Sequence, residues 1–172
     1  YKIKGFRARR PEGAIPMPAR QTGRPNPRRW RTAMPTFVAK DPDYETRVRE
    51  SFGRQGAMAL IGAKLVELAP GYCAITLATR PEVMQQHGYV HAGILSTMVD
   101  TAGGFAGFTL FPAESSVLTV EFKLNLLNPA QGERMIAEGF VVKPGRTLVI
   151  TRGEVHAETG GTRTLVAIMQ QT

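Results

Sequence analysis

The sequence predicts an α+β fold, with one long helix wrapped by a single antiparallel sheet of about six strands. Three observations carry that prediction. Residues 92–110 are apolar on every side and rich in small residues, as expected of a helix buried all round. Residues 118–126 alternate apolar and polar side chains without a break, which is the period of a half-buried strand. Apolar extended runs separated by Pro- and Gly-containing turns flank the helix, two before it and four after it.

The chain has 172 residues and a net charge of +8, and that charge is concentrated at one end. Residues 1–33 hold ten Lys and Arg against one acid, Glu12, a sum of +9. The other 139 residues therefore carry 8 − 9 = −1. Residues 1–33 also contain five prolines, which remove backbone donors and block helix interiors. They read as a basic, Pro/Arg-rich flexible tail, and residues 34–172 as one folded domain. Because the body is near neutral, the overall basicity is no evidence that the domain binds nucleic acid. Only nonspecific contact by the tail is expected. No run of 18 apolar residues exists, so no membrane-spanning helix is expected. The single cysteine, Cys73, excludes an intramolecular disulfide and a zinc–thiolate cluster. A cytoplasmic location is expected.

The first helix is placed near 42–52, capped by Asp41 or Asp43, with Val48, Phe52, Met58 and Leu60 as a sparse apolar stripe. Residues 62–79 read as a hairpin turning at Pro70-Gly71, and 80–91 as a loop. The helix over 92–110 contains Gly103, Gly104 and Gly107, each costing about 1 kcal/mol of helix propensity. Tight packing into a curved sheet is expected to offset that cost. The strand over 118–126 ends at Asn128-Pro129. Strands at 135–142, 147–157 and 163–169 follow, separated by turns at 144–146 and 159–161.

Asp100 is the only charged side chain between His91 and Glu114, in the middle of the apolar helix. An unpaired buried carboxylate is costly, so such a residue is solvated, partnered or functional. The run Gln85-Gln86-His87-Gly88-Tyr89-Val90-His91-Ala92-Gly93 leads into the helix N-terminus, where free N–H groups and the positive dipole end favour a negative oxygen. Small residues at Ala92 and Gly93 allow close approach of a carbonyl, as an oxyanion site requires. Eight residues separate Ala92 from Asp100, about 12 Å along a helix axis. One carbonyl cannot touch both in one copy, so an enzymatic use of both needs a second copy of the chain. His87 and His91 have a metal-binding spacing, but Gly88 and the lack of a third ligand argue against a metal. No G-x-S-x-G elbow and no G-x-G-x-x-G or phosphate-loop motif occurs. Cys73 reads as a core residue.

The run His91-Ala92-Gly93-Ile94-Leu95 with Asp100, then Leu118 through Ala130 ending in Asn-Pro-Ala, and the Gly145-Arg146 turn together resemble the hotdog-fold thioesterases of the PaaI type. The resemblance covers about residues 40–170. It implies a dimer with a continuous sheet, often a dimer of dimers, that hydrolyses acyl-CoA at the interface, CoA being part of the substrate rather than a cofactor. By position it implies Asp100 as general base or nucleophile and the Ala92 amide, beside Gly93, as oxyanion donor. Gln85 matches an Asn or Gln from the other protomer. His91 matches a histidine that positions the thioester or steadies the loop, and Thr119 a hydroxyl that orients water. Ala92 departs from the commoner glycine but keeps its N–H. Arg80, Lys143 and Arg146 are expected near the CoA phosphates. The alternative is a non-catalytic hotdog protein that holds an acyl or aryl ligand, which would gain little from a buried carboxylate.

Overall fold

The computed structural model describes residues 36–172, so the predicted tail over 1–33 lies outside the described residues. Two short helices come first, α1 (Tyr44–Gly53) and α2 (Gly56–Ile61). Strands β1 (Lys64–Ala69) and β2 (Tyr72–Ala78) form the predicted hairpin, with Gly71 at φ +79° in its turn. The long helix α3 (Ala92–Phe108) follows, then β3 (Phe122–Leu126), β4 (Arg134–Lys143), β5 (Ile150–Thr159) and β6 (Thr162–Gln171). The strands form one six-stranded sheet in the order β1-β2-β4-β5-β6-β3, with every neighbour antiparallel. Among the described residues no helix is long and apolar enough to cross a membrane.

Asp43 occupies the N-cap position of α1, but its side chain makes no capping bond. Asp41 acts instead: Oδ1 accepts the Asp43 N–H at 2.9 Å and Oδ2 accepts Arg47 Nε at 2.8 Å. The Asp43 N–H, then Arg47, hold the Asp41 carboxyl below its usual range. Arg47 also donates to the carbonyls of Phe108 (3.4 Å) and Phe111 (3.0 Å), tying α1 to the far end of α3. Val48 and Met58 are buried as expected, but Leu60 is 81% exposed. The one-and-a-half turns of α2 bury Met58 and Ile61, three residues apart, and turn Leu60 outward.

Helix α3 lies across β2, β4 and β5, and ten of its seventeen residues are buried. The close approach is made from both sides. Gly139 and Gly153 are register partners on β4 and β5. A Cβ on Gly139 would stand 2.2 Å from the Ala102 carbonyl oxygen, and one on Gly153 would stand 2.2 Å from Val99 Cγ2. The backbone of the helix therefore sits directly on the backbone of the sheet, and the dispersion and burial gained there offset the helix-propensity cost of its glycines. Gly139→Ala is expected to cost about 2–3 kcal/mol by overpacking, a fall in Tm of about 4–12 °C. Gly53→Ala, with nothing within 4 Å of the added Cβ, is expected to leave the melt unchanged or raise it. Thermal unfolding of the two variants beside the parent chain checks the pair.

Two strand expectations need correction. The regular strand in 118–126 is confined to Phe122–Leu126, and most of its apolar row is exposed: Leu118 is 88% exposed and Val120 68%, while Leu124 packs against the core. The alternation is real, but β3 is an edge strand paired only with β6, at the margin of the part of the sheet that α3 covers. The fifth strand starts at Ile150 rather than 147. Residues 144–149 stay irregular behind the Pro144-Gly145 turn and line a cavity.

Candidate active site

The segment before α3 is suspended between its neighbours. Val90 N–H donates to the Ala130 carbonyl (2.9 Å) and His91 N–H to the Val83 carbonyl (2.9 Å). His91 is the N-cap of α3, and its ring Nδ1 accepts the Gly93 N–H at 2.9 Å. A histidine ring takes the place of the usual Ser or Asp side chain. The Ile94 and Leu95 N–H groups return to the His91 carbonyl at 2.9 and 3.2 Å. Of the first-turn donors only the Ala92 N–H makes no hydrogen bond among the described residues. It lines a 520 Å³ cavity together with Gln85, His91, Leu126 and Asn128. Gln85 Oε1 accepts the His87 N–H, so this side chain is folded back on its own loop.

Asp100 lies two turns along, partly exposed. Its Oδ1 accepts the Thr119 hydroxyl at 2.8 Å and Gln171 Nε2 at 2.6 Å. Oδ2 accepts no hydrogen bond, and no cation pairs with the carboxylate, among the described residues. Two neutral donors therefore hold one oxygen and leave the other for chemistry. Thr119 spends its proton on Asp100 and also accepts from Gln171 Nε2 at 3.0 Å, so it can meet a water only as an acceptor. Thr119 and Gln171 line a separate 120 Å³ cavity beside Gly103, Gly104 and Leu118.

Within one chain the predicted residues thus fall into two groups. Gln85, His91 and Ala92 share one cavity, with Gly93 capped beside them. Asp100 and Thr119 stand together at a second place about 12 Å away along the helix. The three cations also separate. Arg80 donates to the carbonyls of Ile61 (2.6 Å) and Leu60 (3.2 Å) and so closes the C-terminus of α2. Lys143 is exposed at the end of β4. Arg146 lines a 420 Å³ cavity with Lys40, Ser115 and Ser116. That cavity shares Phe111, Ser116, Thr147 and Val149 with the one beside Asp100.

Sequence reasoning missed Gln171 and Lys40. Lys40 carries no local signal. Gln171 carried one: Ala167, Met169 and Gln171 follow the period-two face that packs on the helix, so a polar side chain there demands partners.

The model of the "Thioesterase superfamily" matches residues 87–164, from the loop before α3 to the start of β6. A solved structure of a thioesterase family protein from Silicibacter pomeroyi is 45% identical, with the similarity covering 74% of this chain and 94% of that one at a TM-score of 0.73. The chain belongs to the thioesterase superfamily. The fold extends to more distant members. The PaaI protein of the phenylacetic acid degradation operon of E. coli is 14% identical over 75% of this chain and 90% of its own, at a TM-score of 0.67. A thioesterase from Haemophilus influenzae is 18% identical over 80% and 89%, at 0.61. This superfamily member has the hotdog arrangement, a central helix against a six-stranded antiparallel sheet.

Proposed function

We propose that this thioesterase-superfamily chain hydrolyses acyl-CoA thioesters in an active site completed by two copies. The observation that carries the reading is the division of the chemistry along α3. One free backbone donor, the Ala92 N–H, stands at one end, and one carboxylate with a free oxygen, Asp100, stands two turns on. A second copy packed antiparallel along the uncovered β3 edge would bring one copy's Asp100 to the other's Ala92. The exposed row Leu118, Val120 and Phe122 on that edge supports such an assembly. A dimer of dimers is compatible with it.

A thioester carbonyl is already activated, so the protein needs only a base or nucleophile and a place for the oxyanion. In the base route Asp100 Oδ2 takes a proton from water as its oxygen bonds to the carbonyl carbon. The negative charge that develops on the carbonyl oxygen is held by the Ala92 N–H of the partner subunit at the positive end of its helix. Collapse breaks the C–S bond, and the leaving thiolate takes the proton back as CoA-SH. In the nucleophile route the same oxygen bonds to carbon first and the C–S bond breaks to release the CoA thiolate. Water then cleaves the resulting anhydride, freeing the acid and the Asp100 carboxylate, and the proton released goes to the thiolate as CoA-SH. Arg146 and Lys40, both without a carboxylate partner among the described residues, are placed to meet the phosphates of CoA.

The test is a panel of acyl-CoAs from acetyl to long-chain, with aryl-CoAs included, followed by thiol release. Cys73 is buried, and burial pushes its thiol up, so the protein itself contributes little signal. Turnover above background with at least one class is expected. Binding of acyl-CoA with no turnover across the panel would leave the non-catalytic reading in its place.

A further inference from the structure

We infer that Gln171, the penultimate residue of the chain, is the positioning residue that fixes the Asp100 carboxylate. The inference rests on the catalytic reading of Asp100 above. Gln171 is 3% exposed at the end of β6, beneath the middle of α3. Its Nε2 lies 2.6 Å from Asp100 Oδ1, 3.0 Å from the Asp100 carbonyl oxygen and 3.0 Å from Thr119 Oγ1. Its Oε1 accepts the Thr151 hydroxyl at 3.0 Å. Thr151 is the register partner of Gln171 on β5 and is itself buried. The carbonyl and carboxylate oxygens of Asp100 only accept, so the amide nitrogen must face them, and the Thr151 hydroxyl supplies the donor that Oε1 needs.

The helix is shaped for this contact. A Cβ on Gly103 would stand 2.0 Å from Gln171 Oε1 and 3.0 Å from Thr151 Oγ1. Glycine at this point of α3 lets the amide pass under the helix to reach Asp100 one turn earlier. The side-chain polar contacts of Gln171 are with Asp100, Thr119 and Thr151. It acts by holding Oδ1, together with Thr119, so that Oδ2 alone is presented to the reacting carbon or water. A reacting group displaced by about 1 Å is enough to cost about 100-fold in rate.

Gln171→Met keeps the length and removes the donor. It is expected to lower kcat about 10- to 100-fold while KM changes less than about twofold. Gln171→Glu keeps length and shape, but only its protonated form can donate to Asp100. Its deficit relative to the parent is therefore expected to narrow as the pH falls, a trend that Gln171→Met does not follow. A residue needed only for packing would leave kcat in Gln171→Met near the parent value, since methionine fills the same space. The two variants and Asp100→Asn are assayed together on the best acyl-CoA of the panel, with thermal melts of each. If Asp100→Asn is inactive while Gln171→Met keeps kcat within twofold, the positioning role is overturned and the catalytic reading stands. If Asp100→Asn keeps its rate, the catalytic reading falls and this inference falls with it. Should Gln171→Met fail to fold, Gln171→Glu decides: a deficit that does not change with pH overturns the role.

Discussion

Asp100→Asn is expected to lower kcat for acyl-CoA hydrolysis by about 10²–10⁴-fold, the span contributed by a positioned acid–base group. The fold should survive. Asp100 is partly exposed and its only side-chain partners among the described residues are the neutral donors of Thr119 and Gln171, so no buried cation there loses its counter-charge. An asparagine oxygen in the Oδ1 position can still accept from both. Tm within a few degrees of the parent, with an unchanged elution volume, would separate lost chemistry from lost structure. A variant that kept its rate would make the carboxylate structural and remove the base from the proposed reaction.

The second result with a large effect concerns whether one copy is enough. Ala92→Pro deletes one N–H and little else. Ala92 is the first residue of α3, the helical position where proline is best tolerated, and His91 before it has φ −62° and ψ 137°, which a following proline favours. Loss of one oxyanion donor is expected to cost about 10²–10³-fold in kcat. Ala92→Pro and Asp100→Asn should then each be nearly inactive alone. Unfolded and refolded together in equal amounts, they should recover about a quarter of the parent activity, since half the dimers are mixed and each mixed dimer has one intact site. Recovery at that level requires Asp100 from one copy and Ala92 from the other. No recovery, with mixed dimers demonstrated by differential tagging, would place both groups of each site in a single chain and reject the shared site.

Much of the fold is legible in the chain because its determinants are local. The small-residue, all-apolar composition of 92–108 identifies the central helix, and the period-two runs and Pro-Gly turns place the hairpin, β4, β5 and β6 within a few residues. The errors have a common cause. Leu60 and most of the row over 118–126 have apolar side chains that stay exposed among the described residues, and periodicity records only that a face exists. Which face is met, and by what, is decided by α3, which lies mainly on β2, β4 and β5 and only grazes β3.

The candidate site divides in the same way. Asp100 stands out because a lone carboxylate in an apolar helix is costly, and Ala92 because a helix start offers free donors. Their 12 Å separation follows from helix geometry alone. Gln171 and Thr151 are brought beneath Asp100 only when β5 and β6 pair in register and Gly103 admits them, contacts that span 20 to 71 residues of sequence. By itself, then, the sequence determined the helix, the order of elements and the two candidate groups, because propensity, period and capping are short-range. Only the tertiary structure decided which oxygen of Asp100 is held, by which buried amide, and which strand edge is left open. Those outcomes depend on packing between segments that no local pattern relates.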